Sequence, residues 1–280
     1  MILITGATGS VGKALVQQLL EAKQPVRVFT RHAGKVAHLA GQVEIVTGDF
    51  NRPETLEPAL RGVERMFLLD FDRQQVQHIL EVSRMVGLKH IVKLSTIEAG
   101  HDPMIGHGKF HREREKLIEA SGLDWTFLRP TMFMSNAFDW LPGIRQAGKV
   151  FYAGGRGQVS PIDPGDVAAV AAAALTGEGH AGQGYALTGP ELLSFGDMTC
   201  ILSEVLGRPL EYVDIPESAA AEQMRQAGLP PYVVDGLVEA FAAIRLGRFA
   251  YTTDWVQQIS GKPAHTFQQW CQANQAAFSG

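Results

Sequence analysis

Glycines 6, 9 and 12 of Gly6-Ala7-Thr8-Gly9-Ser10-Val11-Gly12 follow a short apolar run and lead without a break into a helical pattern. That spacing suits a phosphate cradle. The turn leaving a strand is tight, the backbone must approach a pyrophosphate closely, and the helix must pack on the sheet with its first amides facing the anion. A strand before and a helix after set the loop apart from a tight turn that merely contains glycine. The second apolar run ends Phe29-Thr30-Arg31-His32, with Lys35 close behind and no Asp or Glu placed to accept from a ribose 2′-hydroxyl. A guanidinium there suits a 2′-phosphate through planar charge-assisted bonds, so NADPH is expected over NADH; a solvated surface role for Arg31 is the alternative. The third run closes Gly48-Asp49-Phe50, where Asp49 could accept from an adenine amino group with Phe50 beside the ring, or simply start a turn.

Hydride chemistry on such a frame often uses a tyrosine with a lysine four residues later, which lowers the phenol pKa. Tyr152, Tyr185, Tyr212, Tyr232 and Tyr251 are followed at that distance by Arg156, Gly189, Pro216, Gly236 and Trp255, so the pair is absent. The segment after the fifth run instead carries His107-Gly108-Lys109-Phe110-His111-Arg112-Glu113-Arg114-Glu115. On a helix, His107, His111 and Glu115 share one face at steps of about 40°. Three alternatives compete. One is plain intrahelical pairing, such as His111 with Glu115. A metal site is disfavoured because no further ligand constellation supports it. In the third, His111 donates a proton or orients substrate beside a nicotinamide, with His107 lining the same substrate site, since imidazole titrates near neutral pH. Asp163 and Asp166, in Asp163-Pro164-Gly165-Asp166 before an apolar run, are expected to open a helix rather than to pair as catalytic carboxylates.

Positioning these residues requires alternating elements. Strand-like runs at Ile2–Thr5, Val26–Thr30, Val43–Thr47, Arg65–Leu69, His90–Leu94 and Thr126–Arg129 alternate with amphipathic stretches around Lys13–Ala22, Pro53–Leu60, Gln74–Met85 and Phe110–Ala120. That rhythm predicts an α/β, doubly wound parallel sheet. After Pro130 it loosens, with a glycine-rich loop at Tyr152–Gly157, one more strand-helix unit from Val159 through Leu175 where the sheet is expected to resume, and a further strand at Tyr185–Thr188. Helices are predicted at Phe195–Leu206, Glu217–Ala227 and Tyr232–Ile244. Phe133, Phe138, Trp140, Phe151 and Tyr152 follow the sixth run, where a cleft opens at the carboxyl ends of the strands. They are candidates for an apolar substrate wall, with core packing an equal alternative for any one of them.

The composition bounds the partners. Over 280 residues, Lys+Arg total 25 against Asp+Glu 29, a formal charge of −4, with 45% apolar and 19% charged residues, which excludes intrinsic disorder. Without a basic face or run, nucleic acid and anionic membranes are poor partners, and a small molecule remains. Cys200 and Cys271 lie far apart without a CxxC, so both are expected as buried thiols in a reducing compartment. The N-terminal segment lacks the pattern of a secretory signal, and Val167–Leu175 is about half the length a membrane-spanning helix needs, so a cytoplasmic protein is expected.

Taken with Leu94-Ser95-Thr96, His111, Glu115, Ser121-Gly122-Leu123, Thr126-Phe127-Leu128-Arg129-Pro130, Phe133 and Asn136, the glycine loop gives a chain that resembles the NmrA-like atypical short-chain dehydrogenases over essentially its whole length. Ser160-Pro161-Ile162-Asp163, Asp166-Val167-Ala168 and Leu187-Thr188-Gly189-Pro190-Glu191 extend the likeness. The resemblance implies a Rossmann-type NAD(P) lobe, about residues 1–130 plus 158–188, and a small C-terminal substrate-binding lobe, about 131–157 and 189–280, within one folding unit. It implies cofactor contacts at Gly6, Thr8, Gly9, Val11, Gly12, Arg31, Asp49, Leu69 and Ser95; Ser10, Lys35, Phe50, Asp70 and Thr96 complete the candidate set. Relatives of this kind include NADPH-dependent quinone, azo-dye and triphenylmethane-dye reductases. The expected activity is reduction of a planar, electron-poor small molecule, a quinone, imine, azo compound or enone, with NADP(H) as cofactor and a monomer or homodimer as the form. The alternative is a dinucleotide-binding redox sensor that acts through a protein partner.

Overall fold

The computed structural model describes residues 1–278. Its strands are β1 (Ile2–Thr5), β2 (Val26–Thr30), β3 (Glu44–Thr47), β4 (Arg65–Leu68), β5 (His90–Leu94), β6 (Asp124–Pro130), β7 (Lys149–Tyr152), β8 (Gln158–Val159), β9 (Gln183–Leu187), β10 (Leu193–Ser194) and β11 (Glu211–Asp214). The helices used below are α1 (Ser10–Glu21), α2 (Leu56–Leu60), α3 (Arg73–Val86), α4 (Gly108–Glu119), α5 (Leu141–Ala147), α6 (Pro164–Thr176), α7 (Phe195–Leu206), α8 (Glu217–Gln226) and α9 (Pro231–Arg245). None of the described helices is long and apolar enough to cross a membrane. The chain divides into two compact units: Met1–Thr96 with Phe110–Arg129 and Pro164–Tyr185, and Ile97–Lys109 with Pro130–Asp163 and the chain from Ala186 on. Ile97–Lys109 thus groups with the second unit, a finer division than a cut at Pro130.

A seven-stranded sheet in the order β3-β2-β1-β4-β5-β6-β9 organises the first unit, and the pairs from β1 to β6 are parallel. The central strands are mostly apolar, as strands covered on both faces tend to be: all of Ile2–Thr5 is buried, and so is Val26–Phe29, Arg27 included. The order reverses at β1, which pairs with β2 on one side and β4 on the other, so the loops leaving β1 and β4 diverge and open a crevice at their carboxyl ends. Val11, Leu15, Val16 and Leu19 form the buried stripe of α1, which packs against the alanine-rich α6. Helix α3 starts where Asp72 accepts from the Gln75 amide (2.9 Å) and ends at Gly87 in the left-handed conformation.

In the second unit β7 pairs in parallel with β11, and β8 pairs antiparallel with β10. Around them a core forms from Phe195, Met198 and Leu202 of α7, Phe241 and Ile244 of α9, Trp140, Phe267 and Trp270. One expectation is corrected here: the run at Val159 does not resume the main sheet. Its strand is two residues long and pairs only with β10, because Pro161 and Pro164 follow and cannot donate to a ladder. The seventh strand is β9 instead.

His90, at the head of β5, is buried, and its Nε2 lies 2.9 Å from Thr126 Oγ1, which itself donates to the His180 carbonyl (2.7 Å). With the Thr126 proton committed, His90 Nε2–H donates. Burial, then Arg65, holds the His90 pKa below the ordinary value, and burial does the same to His180 and His101. The unfolded chain therefore binds these protons first. Stability is full at neutral pH and falls as pH drops below about 6.5. The urea midpoint is expected to be lower at pH 5.5 than at pH 7.5, and His90→Gln should remove part of that difference; an unchanged gap would deny His90 its share.

Candidate functional site

The glycine loop is shaped by contacts that no side chain could share. Gly6 is left-handed (φ 65°), and a Cβ there would lie 2.6 Å from Leu69 Cδ2. A Cβ on Gly12 would meet the Gly6 carbonyl oxygen at 2.2 Å, so only glycine lets α1 start this close to the end of β1. The Gly9 amide donates to the Gly6 carbonyl (2.9 Å) and closes the turn. Helix α1 has no side-chain N-cap and no acidic residue in its first turn, which leaves its first amides for an anion. Thr5 braces the opening: its hydroxyl donates to the Phe67 carbonyl (3.0 Å) and accepts from the Leu69 amide (2.7 Å).

A cleft of about 290 Å³ lies over this loop, lined by Gly6, Thr8, Gly9, Arg31, Asp49, Phe50 and Leu69 of the expected set. Thr5, Ala7, Phe29, Thr30, Phe71 and Gln75 also line it. Val11 and Gly12 are buried inside α1, while Ser10 and Lys35 are exposed outside the lining. Phe29 and Phe50 meet with ring centroids 5.1 Å apart, and Gly48 makes room, since a Cβ there would lie 2.5 Å from the Phe29 ring. Asp49 lines the cleft and also accepts the Asn51 amide (2.9 Å), so it starts the turn as well. Gly-loop amides, a cation at the β2 end and two aromatic rings over a carboxylate form a donor set that fits a dinucleotide carrying a 2′-phosphate.

The ends of β4 and β5 hold buried charge. Asp70 pairs with Lys93 Nζ and lies 2.6 Å from Arg114 Nε, an ion pair without hydrogen-bond alignment, and both its side chain and that of Lys93 are wholly buried. Burial lowers the Lys93 pKa, and Asp70 opposes that shift. Asp70, expected as a cofactor contact, is buried in these pairs and is not part of the cleft lining. Ser95 Oγ donates to Glu115 Oε1 (2.7 Å), and Arg129 forks onto both oxygens of Glu115 (3.0 and 2.7 Å). Arg112 reaches the same carboxylate (3.2 Å) and Glu119 (2.6 Å). Glu115 thus holds Ser95 at the β5 end. Thr96 follows, half-buried.

His111 is half-buried on α4. His107 precedes the helix rather than sharing its face, because α4 begins at Gly108, where a Cβ would strike the Glu98 carbonyl at 2.4 Å. The His107 ring lies against α9, within 2.5 Å of where a Gly236 Cβ would stand. Of the expected substrate wall, three rings belong to the second unit's packing. Phe138 stacks on Phe278 (5.2 Å), Tyr152 stacks on Phe195 (3.9 Å), and Trp140 is buried edge-on to Phe195. Phe133 enters a 3-10 turn and bridges to Ile162, while Phe151 is exposed on β7. Among the residues missed, Lys93 had a readable signal, a lone charge inside the apolar run His90–Leu94. Phe71 and Gln75 had none, since only the fold brings them to the cleft.

A profile for NAD(P)H-binding proteins matches residues 6–178. The chain is 38% identical to the (4-alkanoyl-5-oxo-2,5-dihydrofuran-3-yl)methyl phosphate reductase of Streptomyces griseus, over 100% of this chain and 99% of that protein. It is 36% identical to the NAD(P)H azoreductase of Xenophilus azovorans, over 99% of each. In structure it is similar to the NADPH-dependent quinone oxidoreductase of Escherichia coli complexed with NADPH, with a TM-score of 0.86 at 26% identity, covering 98% of this chain and 99% of that one.

Gly12→Ala drives a methyl group into the Gly6 carbonyl and must spread the loop. It is expected to lower stability by about 1–3 kcal/mol and to weaken dinucleotide binding. Denaturant unfolding and calorimetric titration check the two effects; wild-type values for both would mean that the loop relaxes without loss.

Proposed function

The chain belongs to the NAD(P)H-binding family whose motifs it carries, that of the NmrA-like atypical short-chain dehydrogenases, and from that membership we propose that it reduces a planar, electron-poor small molecule with NADPH. It is an NADPH-dependent oxidoreductase. The supporting observation is the cleft at the sheet's switch point, where the Gly6–Gly9 loop, Arg31, Asp49, Phe50 and Leu69 converge. The relatives named above act on a conjugated oxo-dihydrofuran, an azo compound and a quinone, which share an electron-poor conjugated double bond.

When bound, NADPH supplies a hydride, two electrons with one hydrogen, and leaves as NADP⁺. The Gly6–Gly12 backbone and the first amides of α1 hold the pyrophosphate, and Arg31 takes the 2′-phosphate. Ser95 cannot readily release its proton towards a substrate, because its hydroxyl already donates to Glu115. The second hydrogen of the reduced product therefore comes as a proton from His111 or from water. A quinone or conjugated enone accepts hydride without a strong side-chain acid, so the chain's main contribution is to position it. Both cysteines are free thiols, in keeping with a reducing, cytoplasmic setting; Cys271 is buried as expected, whereas Cys200 is exposed, because it lies on the outer face of α7.

The decisive experiment follows NADPH absorbance with purified protein against quinones, imines, azo dyes and enones, with NADH in parallel. Acceptor-dependent decay with an NADPH preference is expected, and Arg31→Ala should cost NADPH affinity about tenfold while leaving NADH nearly unchanged. Binding of NADPH without any acceptor-dependent decay would overturn the reductase in favour of a sensor, and equal losses for both nucleotides would remove Arg31 from the phosphate.

His111→Ala is expected to lower kcat by up to about 100-fold with little change in NADPH affinity. An unchanged rate would leave water as the proton source and return His111 to packing.

A further inference from the structure

Phe71 is two-thirds exposed (67%), yet its backbone is held from both sides by buried side chains. Its amide donates to Gln75 Oε1 (3.1 Å), and its carbonyl accepts from Arg114 Nη1 (3.1 Å). Gln75 and Arg114 are themselves only 7% and 8% exposed. Arg114 is anchored in turn by Asp70, and Asp70 by Lys93. One buried guanidinium, the end of a Lys93–Asp70–Arg114 chain of buried charges, and one buried amide thus hold the backbone of a residue that lines the cleft and is open to solvent. Burying ions is unfavourable compared with packing hydrocarbon, so such a strut does not repay its desolvation through stability alone. A large apolar ring held out beside a ligand cleft is a surface waiting to be covered.

The wall that carries Phe71 also fixes which part of a ligand it meets. Gln75 reaches towards Asn51 (3.5 Å), and Asn51 follows Asp49 and Phe50, with which Phe71 shares the cleft lining. The pyrophosphate cradle, Gly6–Gly9, is a separate stretch of that lining. We propose that Phe71 is an aromatic clamp on the adenosine half of the dinucleotide, held there by the Arg114–Asp70 strut. The inference rests on the assignment of this cleft to NADP(H). Phe71 is the contact residue, with its ring against the adenosine. Arg114 is a positioning residue that acts through the Phe71 carbonyl.

The test uses 2′,5′-ADP, which carries the adenosine half alone, and NADP⁺, each titrated calorimetrically into the whole protein. Wild-type binding of 2′,5′-ADP tests the cleft assignment itself. Phe71→Ala, at an exposed position that does not threaten folding, should then weaken 2′,5′-ADP and NADP⁺ by the same factor, about tenfold, as expected for loss of a base–aromatic contact. Phe71→Trp should restore binding. Arg114→Lys retains a charge beside Asp70 but cannot fork onto the Phe71 carbonyl. It should weaken 2′,5′-ADP in the wild-type background and have little effect in Phe71→Ala, the coupling expected if Arg114 acts through that ring. Affinities within twofold of wild type for Phe71→Ala would overturn the clamp, and so would a loss confined to NADP⁺ with 2′,5′-ADP unchanged.

Discussion

Where a buried parallel sheet ends, its strands leave the ladder together, and every backbone group that loses its partner there must find another. At the carboxyl edge of this sheet the partners are side chains. Thr5 satisfies the Phe67 carbonyl and the Leu69 amide, Lys93 reaches the Leu94 carbonyl, and Arg114 takes the Phe71 carbonyl. The Thr5 bonds tie the ends of β1 and β4 together, Arg114 ties α4 to the β4 end, and the Lys93–Asp70 pair joins β5 to it. The crevice walls are therefore set by polar satisfaction at the strand ends, while the apolar strands behind them supply the rigid base.

The same edge explains why so many charges are buried in one region. Lys93 lies between Val92 and Leu94 in a buried strand, and burial pushes its ammonium towards neutrality. Asp70 counters that and in turn orients Arg114. Glu115, one residue further along α4, is wholly buried and serves Ser95 and Arg129 at the neighbouring strand ends. Helix α4 thus presents alternate cation and anion to two adjacent strand termini. A mean-apolar helix could pack there, but it could not fix the directions of the loops that leave the sheet.

Much of the frame was legible because the forces that write it are local. The limits of β1, β2 and β5 and of α7 follow from apolar runs, period and caps, and the structure reproduces them residue for residue. Val159 looked like another sheet strand for the same reason, yet the prolines after it and the availability of β10 decided otherwise. The glycine loop was readable as well, since close backbone approach restricts residue type at fixed spacing. What escaped the sequence was partner choice. Glu115 lies four residues after His111, the spacing of an intrahelical pair, and takes Arg112 of its own helix, yet Ser95 and Arg129, 20 and 14 residues away, also share the carboxylate. Trp140 and Tyr152 have the residue types of a substrate wall, and it is Phe195, more than 40 residues on, that draws both into a core.

The tyrosines bear on what acceptor the site can reduce. Burial raises the phenol pKa of Tyr152, Tyr185, Tyr212 and Tyr251, with Tyr212 at about 12, so none of these four approaches the near-neutral acidity that a lysine neighbour would confer. Reduction of a simple ketone needs a proton delivered as charge builds on oxygen, and without a tuned phenol that demand falls on an imidazole or on water. A quinone or a conjugated enone spreads the same charge through its own π-system, which lowers the requirement for a strong acid. The raised phenols and the Ser95 hydroxyl committed to Glu115 therefore point in one direction: an acceptor that carries its own electron sink suits this chain best.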